Sequence, residues 1–556
     1  MCSFLVFNWL IKNIEYINYF LKFRGPDSTN HVTYNNFTFL HNLLHLTGDI
    51  TYQPFIDNKR KIVTLFNGEI YNYKDFGDYK SDGYCIIDLY LKHGFDFIKK
   101  LDGEFAIVLF DFSNDKFIIS TDIFSTKPLW YAIDDKNLGI ASYQSALQRA
   151  KMNNIIKLDA NTSLIFNISN LKKIKEKRVY KFNYRQFKTS YDDWLEAFIN
   201  SIKKRAMNNN YEIFICLSSG YDSGSICAIL NKLKKNYETF TIIGGENKKI
   251  IDDRIKINDN KSHIMNIDER KKENIKKYLH ENAENYEYVH VQRNIRDDPA
   301  SIGMAHICKI NNARNYRICL TGTGADEIHC DYGFNGEKKA RSSCFGGKFP
   351  DDLSTIIDND KKKKVIWESF FGKSQRDFLS KEEIIGGLYG IECRYPFLDK
   401  YVVQEFLWLS AELKNKNYKS PLDNYLKINN FPYEREKKEG FGCGYSGPTQ
   451  NNKGYTKLAE HTIQQNKGRM VTDIVNSRKV DFSKNLKKTY EHFINIDKSK
   501  IVHVKDNLYM YDCYINDLGL KYSNKCSYII LEDYTPMGYV ESNHDIIAKN
   551  GKGGFC

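Results

Sequence analysis

Two runs of strand-forming residues each open into a loop of small residues that carries an aspartate. Ser218-Ser219-Gly220-Tyr221-Asp222-Ser223-Gly224 follows the run Glu212 to Leu217, and Thr321-Gly322-Thr323-Gly324-Ala325-Asp326-Glu327 follows Tyr316 to Leu320. Small residues let backbone N–H groups approach an anion, hydroxyls add donors, and a helix starting after the loop supplies partial positive charge. Such a loop cradles phosphate, and Leu217, Ser218, Ser219, Gly220, Ser223, Thr321 and Gly322 are the candidate contacts. Asp222 and Asp326 have the wrong sign for phosphate and the right one for Mg²⁺, so two acids from neighbouring strands could share metal ions that bridge a triphosphate. Taken alone, the first loop reads equally well as an ordinary strand-to-helix turn; the second makes chance a poorer account. Neither is a Walker A loop, because the GK[ST] ending is missing.

A third candidate stands at the other end of the chain. Methionine before a small residue is normally removed, which would leave Cys2 with its α-amino group beside its own thiol. That amine, with an ordinary pKa of about 7.7–8.0, can serve the thiol as general base.

These residues need rigid elements behind them. In the first part of the chain, Phe37 to Leu44, Ile62 to Phe66, Phe105 to Phe112 and Phe117 to Ser120 read as strands, the last two joined across Ser113-Asn114-Asp115 as a hairpin. A basic polar stretch from Leu171 to Ser190 breaks that pattern. From Asp192 a helical spacing begins, with Trp194, Leu195, Phe198, Ile199 and Ile202, and this marks the domain boundary. Beyond it, strand-like runs (Glu212 to Leu217, Thr239 to Ile243, Arg317 to Leu320) alternate with helical segments, as in a parallel sheet with crossover helices. Ligands of such sheets sit at the carboxyl ends of the strands.

Composition narrows the choice. With 556 residues, 42% hydrophobic and only ten prolines, the chain is built for two to four folded domains and not for disorder. Its net charge of +13 sets 82 basic against 69 acidic residues, too thin and dispersed for a nucleic-acid face. The run Lys361 to Lys364 lies beside Asp358 and Asp360 and reads as a solvated loop. Thirteen cysteines without a CxxC pair suit neither a disulfide framework nor a zinc site, so a reducing, cytoplasmic compartment is expected. The apolar segment Phe4 to Ile11 lacks a basic n-region and a cleavage site, and no signal peptide or membrane span is expected.

The motifs together resemble a family, the glutamine-hydrolysing asparagine synthetases and their relatives, which include the β-lactam synthetases. The family's SGGxDSS loop is similar to Ser218–Gly224, with Ser219 for a glycine and Gly224 for the last serine. Its SGxGxDE loop is similar to Thr321–Glu327, its GxExRxPFLD segment to Gly390–Asp399, and its late lysine motif to Lys438-Glu439-Gly440-Phe441. In the first part, Arg24-Gly25-Pro26-Asp27 resembles RGPD, Asn67–Tyr73 resembles NGEIYNY, and Asp102–Ala106 resembles DGxFA.

The resemblance implies an α+β N-terminal nucleophile (Ntn) hydrolase αββα sandwich over about 1–175 and a PP-loop α/β synthetase domain with a parallel sheet over about 190–450, leaving 455–556 unassigned. It implies Cys2 as the glutaminase nucleophile, the Asn67 side chain and Gly68 N–H as oxyanion hole, and Arg24, Glu69 and Asp82 as substrate-binding residues. It further implies ATP with Mg²⁺ at Asp222 and Asp326, an acyl-adenylate, and Lys438 stabilising charge on the phosphates; without the motif Lys438 reads as surface charge. Arg394 is open to a structural reading, buried against Glu392 or Asp399. The implied partners are small molecules, glutamine and an amino-acid carboxylate, with a homodimer as one compatible assembly and neither nucleic acid nor membrane.

Two departures stand out. The family's glutamine-gripping arginine, in a segment of the form HERLSI, is replaced by Leu43, at an expected cost of about 1.5–3 kcal/mol in glutamine binding. Thr323 stands where asparagine synthetases carry a catalytic acid. Both keep alternatives open: a β-lactam-synthetase-like ligase with an inert first domain, or a non-catalytic scaffold.

Overall fold

The structure, a computed structural model, describes residues 2–206, 210–244, 246–258, 261–289, 293–330, 349–353 and 367–434, with strands between 501 and 548. Lys438 and its motif, the run Lys361 to Lys364 and the glycines of the C-terminal end lie outside the described residues. The chain divides into two units, 1–447 and 448–556.

The first unit opens with two six-stranded sheets. One runs Ile156–Lys157, Trp130–Asp134, Asn137–Ala141, Ser3–Phe7, Phe37–Leu43, Ser28–Tyr34; the other Lys173–Arg178, Thr162–Asn167, Lys116–Thr121, Gly103–Asp111, Ile62–Ile70, Phe55–Asp57. Phe4, Val6 and Phe39 of one sheet pack against Val63, Val108 and Phe110 of the other. Alternate residues turn outward to helices: Leu5 and Phe7 share a core with Ile17 and Leu147, and Ile107 and Leu109 share one with Ile86 and Phe97. Both faces of each sheet are therefore covered, which is why these strands read as continuous apolar runs and not as alternations. The result is the expected αββα sandwich, with the expected hairpin pairing Asp111 to Lys116. Lys173–Arg178, taken in the sequence for the start of a polar linker, is an edge strand of the second sheet. Its residues are mostly exposed on both faces, so no apolar period marks it.

Helix Asp192–Arg205 follows, and then a five-stranded, all-parallel sheet in the order Ser262–Met265, Tyr237–Ile242, Ile213–Cys216, Ile318–Leu320, Glu392–Arg394. The chain builds outward from Ile213–Cys216 in one direction, then returns to add Ile318–Leu320 on its other side. The order thus reverses between these two strands, and a crevice opens at their carboxyl ends. Both aspartate-bearing loops leave from that crevice.

The second unit contains an antiparallel meander of Ile501–Lys505, Leu508–Asp512, Cys526–Glu532, Thr535–Glu541 and Ile546–Ala548. The sequence had left this region unassigned.

Candidate functional site

Cys2 lies at the foot of the strand Ser3–Phe7, with its thiol buried against Leu44. Sγ accepts the Leu44 N–H at 3.5 Å and faces its carbonyl at 3.7 Å. Burial pushes the thiol up to about 11, with the Leu44 hydrogen bond pulling the other way. A thiol raised in this way is a poor nucleophile unaided, and attack on a carbonyl would need a base beside it.

Asn67, on the strand Ile62–Ile70, has no exposure, and neither its amide nitrogen nor its oxygen has a hydrogen-bond partner among the described residues. Buried polar atoms of this kind are rare and call for a reason, and a donor pre-set for a charge that develops during reaction is one. Next to it, Gly68 has φ +132°, and a Cβ there would lie 1.9 Å from the Glu104 carbonyl oxygen. Only glycine fits that backbone and that close approach to the neighbouring strand.

Glu69, two residues from Asn67 and so on its face of the strand, interacts electrostatically with the Cys2 thiol. Burial raises its carboxyl to about 8 while Arg394 opposes the rise. Asp82 accepts the N–H groups of Ile70 and Gly83, each at 2.9 Å, and burial raises it to about 6. Glu69 is thus within electrostatic reach of both Cys2 and Asp82, and Asn67 and Gly68 precede it on the same strand.

Arg24 does not join the cluster as a substrate-binding group. Its guanidinium is fully enclosed, donating from Nε to the Cys2 carbonyl at 3.0 Å, from Nη1 to Tyr143 and to the Glu383 carbonyl, and from Nη2 to the Glu383 carboxylate at 2.8 Å. It holds the backbone of Cys2 from behind. The reason is local: Arg24 ends a short 3₁₀ turn, Lys22–Arg24, that packs beneath the nucleophile and against the helix Lys373–Leu388. Leu43 is buried in the sheet beside Leu44.

Arg394 is buried against Glu392 at 2.7 Å, one of the two partners expected, and its second contact is Glu69 at 3.2 Å. Asp399, the other expected partner, is instead taken by Arg205 at 2.9 Å and by Lys204. Arg205 also pairs with Glu104 of the sandwich at 2.7 Å, so buried charges stitch the two domains together.

At the parallel sheet the two loops meet. A Cβ on Gly322 would stand 2.7 Å from the Asp222 Cβ. Ser218 and Ser223 share a hydroxyl–hydroxyl contact at 2.9 Å, and Ser223 also accepts the Ser218 N–H. Ser219 donates both its N–H and its hydroxyl to one carboxylate oxygen of Glu246. Two donors of the turn thus meet a carboxylate of the same chain. Leu217 is buried at the end of its strand, bonded to Phe240, and Thr321 donates its N–H to the Arg394 carbonyl.

Asp222 and Asp326 converge on a single cation, the Lys419 ammonium, at 2.5 Å and 2.8 Å. Lys419 is 1% exposed, and its two acidic partners hold it charged well above the ordinary lysine range. Two carboxylates that share one ammonium can share a divalent cation, so the donor set fits Mg²⁺ completed by phosphate oxygens and water. Among the described residues no group of three or more His, Cys, Asp and Glu could hold a metal ion by itself.

Several functional residues escaped the sequence reading. Lys419 belongs to no motif and holds a left-handed backbone, φ 42°, at the cap of the helix Ser420–Ile428. Arg254 lies behind the first loop, with Nη1 donating to the carbonyls of Ser218 and Gly220. A Cβ on Gly224 would fall 2.4 Å from its Nη2. Glycine in place of the family's serine is thus the imprint of that guanidinium, and the substitution was the one available signal for it.

Known proteins share this layout. Residues 1–192 match the family model described as glutamine amidotransferase domain, and residues 193–375 match asparagine synthase, meeting where the helix Asp192–Arg205 begins. A putative asparagine synthetase [glutamine-hydrolyzing] 1 of Methanocaldococcus jannaschii is 25% identical over 435 residues, covering 71% of this chain and 73% of its own. The asparagine synthetase [glutamine-hydrolyzing] of Gallus gallus is 26% identical over 458 residues, covering 73% and 76%. A probable asparagine synthetase of Acanthamoeba polyphaga mimivirus is 26% identical over 416 residues, covering 68% and 71%. Among the described residues no helix is long and apolar enough to cross a membrane.

Proposed function

The chain belongs to the asparagine synthase family, with a glutamine amidotransferase domain ahead of the synthase domain, and from that premise we propose that it makes asparagine from aspartate, glutamine and ATP. The observation that carries the reading is a pair of features in one unit: a buried Asn67 beside Gly68, unpartnered among the described residues, and two carboxylates gathered on one ammonium at the carboxyl ends of a parallel sheet.

In the first site the amine left by removal of Met1 takes the Cys2 proton. The thiolate attacks the side-chain amide carbon of glutamine. Charge on the carbonyl oxygen is met by the Asn67 amide and the Gly68 N–H, preorganised donors that cost no rearrangement when the charge appears. Asp82 receives the glutamine α-ammonium. The protonated amine gives its proton to the departing nitrogen, ammonia leaves, and water releases glutamate from the thioester.

In the second site the turn Ser218–Ser223 takes phosphate oxygens of ATP, a substrate, with Glu246 giving way. Mg²⁺ at Asp222 and Asp326 would neutralise the phosphates. Lys419, beside both aspartates, can pair with a phosphate oxygen. Arg205 with Glu104, and Arg394 with Glu69, tie the two domains together, and internal transfer of ammonia would keep it unprotonated and at high effective concentration.

The test is to incubate the purified protein with ATP, Mg²⁺ and aspartate, adding either glutamine or ammonium, and to quantify AMP, pyrophosphate, glutamate and asparagine together. Equal yields of asparagine, AMP and glutamate with glutamine are expected. Glutamate without asparagine, or AMP without asparagine, would defeat aspartate as the acceptor.

A further inference from the structure

Thr323 lacks the acid its family carries at that position, and a carboxylate from elsewhere stands beside it. The Thr323 hydroxyl donates to Oε1 of Glu382 at 2.5 Å. Glu382 projects from the middle of the helix Lys373–Leu388, 59 residues further along the chain. Its other oxygen, Oε2, is shut off from solvent and has no hydrogen-bond partner among the described residues. Thr323 itself is fixed by its N–H to the Thr321 hydroxyl at 3.1 Å, and Gly322 between them abuts Asp222. The carboxylate is thus held one hydrogen bond from the loop that carries the synthetase chemistry, with one oxygen uncommitted.

We propose that Glu382 is the base of the amide-forming step, doing from this helix what an acid at position 323 does in the chain's relatives. The proposal rests on the synthetase reading above. The nitrogen lone pair of ammonia forms the C–N bond at the acyl carbon of the adenylate, giving a tetrahedral adduct with a positive nitrogen. Oε2 of Glu382 takes one proton from that nitrogen. The carbonyl re-forms as the bond from carbon to the AMP oxygen breaks, and AMP leaves with the electron pair.

The surroundings suit a base. Burial raises the Glu382 carboxyl above the ordinary glutamate range, and Glu383 adds to the rise, while Lys381 and the hydroxyls of Thr323 and Thr321 oppose it. Cys308, Cys393 and Tyr395 face it from the neighbouring helix and strand, and all three stay neutral because burial raises them. A base whose pKa lies closer to neutrality loses less when it must release the proton again.

The experiment uses the full-length protein, ATP, Mg²⁺ and aspartate, with ammonium as nitrogen source. It compares aspartate-dependent ATP–pyrophosphate exchange, which reads adenylation, with asparagine formation across pH, in wild type, Glu382→Gln, and the double variant Thr323→Glu with Glu382→Ala. In Glu382→Gln, exchange is expected within about threefold of wild type while asparagine formation falls by about 10²–10⁴-fold, the usual worth of a general base. The rise of its rate with pH should flatten, and the double variant should recover at least tenfold of the loss. Asparagine formation within threefold of wild type in Glu382→Gln, or an equal fall in both readouts, overturns the proposal alone. Wild-type protein silent in aspartate-dependent exchange overturns the synthetase reading and this step with it.

Discussion

Arg24 and Glu383, 359 residues apart in sequence, form an ion pair of 2.8 Å with neither side chain more than 1% exposed. Arg24 holds the carbonyl of Cys2, and Glu383 also accepts from Lys127 at 2.9 Å and from Tyr395 at 2.8 Å. The backbone of Cys2 in one domain is therefore tied to the residue next to Glu382 in the other. Removing one partner of such a pair leaves a buried charge uncompensated, at about 3–5 kcal/mol. Glu383→Ala is expected to lose that much in urea unfolding and to lower glutamine-driven amide formation with it. A loss below about 1 kcal/mol would mean that the pair is solvated in solution.

Asn67→Ala should cut glutamate release by about 10²–10³-fold, the measured worth of one oxyanion donor, and leave ammonium-driven synthesis intact. Steady-state glutaminase assays would decide it, and a loss under tenfold would assign the oxyanion to other donors.

The use of glutamine should depend on pH through Asp82. Burial raises its carboxyl to about 6 from the ordinary aspartate value, so the carboxylate that pairs with the substrate α-ammonium is present above about pH 6 and lost below it. The KM for glutamine is expected to climb about tenfold per unit below that point. In Asp82→Asn the KM should be high and flat from pH 5 to 8. A wild-type KM that is flat across the same range would exclude Asp82 as the ammonium's partner.

Lys419→Met would leave Asp222 and Asp326 without their shared ammonium. Because both acids keep some solvent contact, about 3 kcal/mol is the expected loss. Millimolar MgCl₂ should return more of the melting temperature in this variant than in wild type. Equal gains would show that the two aspartates do not take the metal.

Much of this architecture was legible in the chain. The strands around Phe37, Ile62 and Phe105 declare themselves as apolar runs because they are covered on both faces, and the Ser218 and Thr321 loops because small residues and acids recur at strand ends. Asn67 and Gly68 lie on one strand and Asp82 on a 3₁₀ turn well beyond it, and the likeness of their motifs to a family's, not a local pattern, pointed to them. Arg24 was misplaced because its partners, Glu383 and Tyr143, lie far off in sequence, and no local pattern says which way a guanidinium turns. Lys419 and Glu382 were missed for the same reason: each meets its aspartates or threonine only through the fold.

The contact of Arg394 with Glu69 also bears on how such a chain could be divided or recombined. The glutaminase cluster borrows its countercharge from the last strand of the parallel sheet, beyond the point where a fragment ending near residue 190 would stop. Such a fragment would keep every residue of its own reaction yet expose Glu69, whose charge would then repel the anionic end of glutamine. Ammonia release and ammonia use are in that sense heritable only together, and a gene fusion that exchanged one half would have to bring a matching arginine with it.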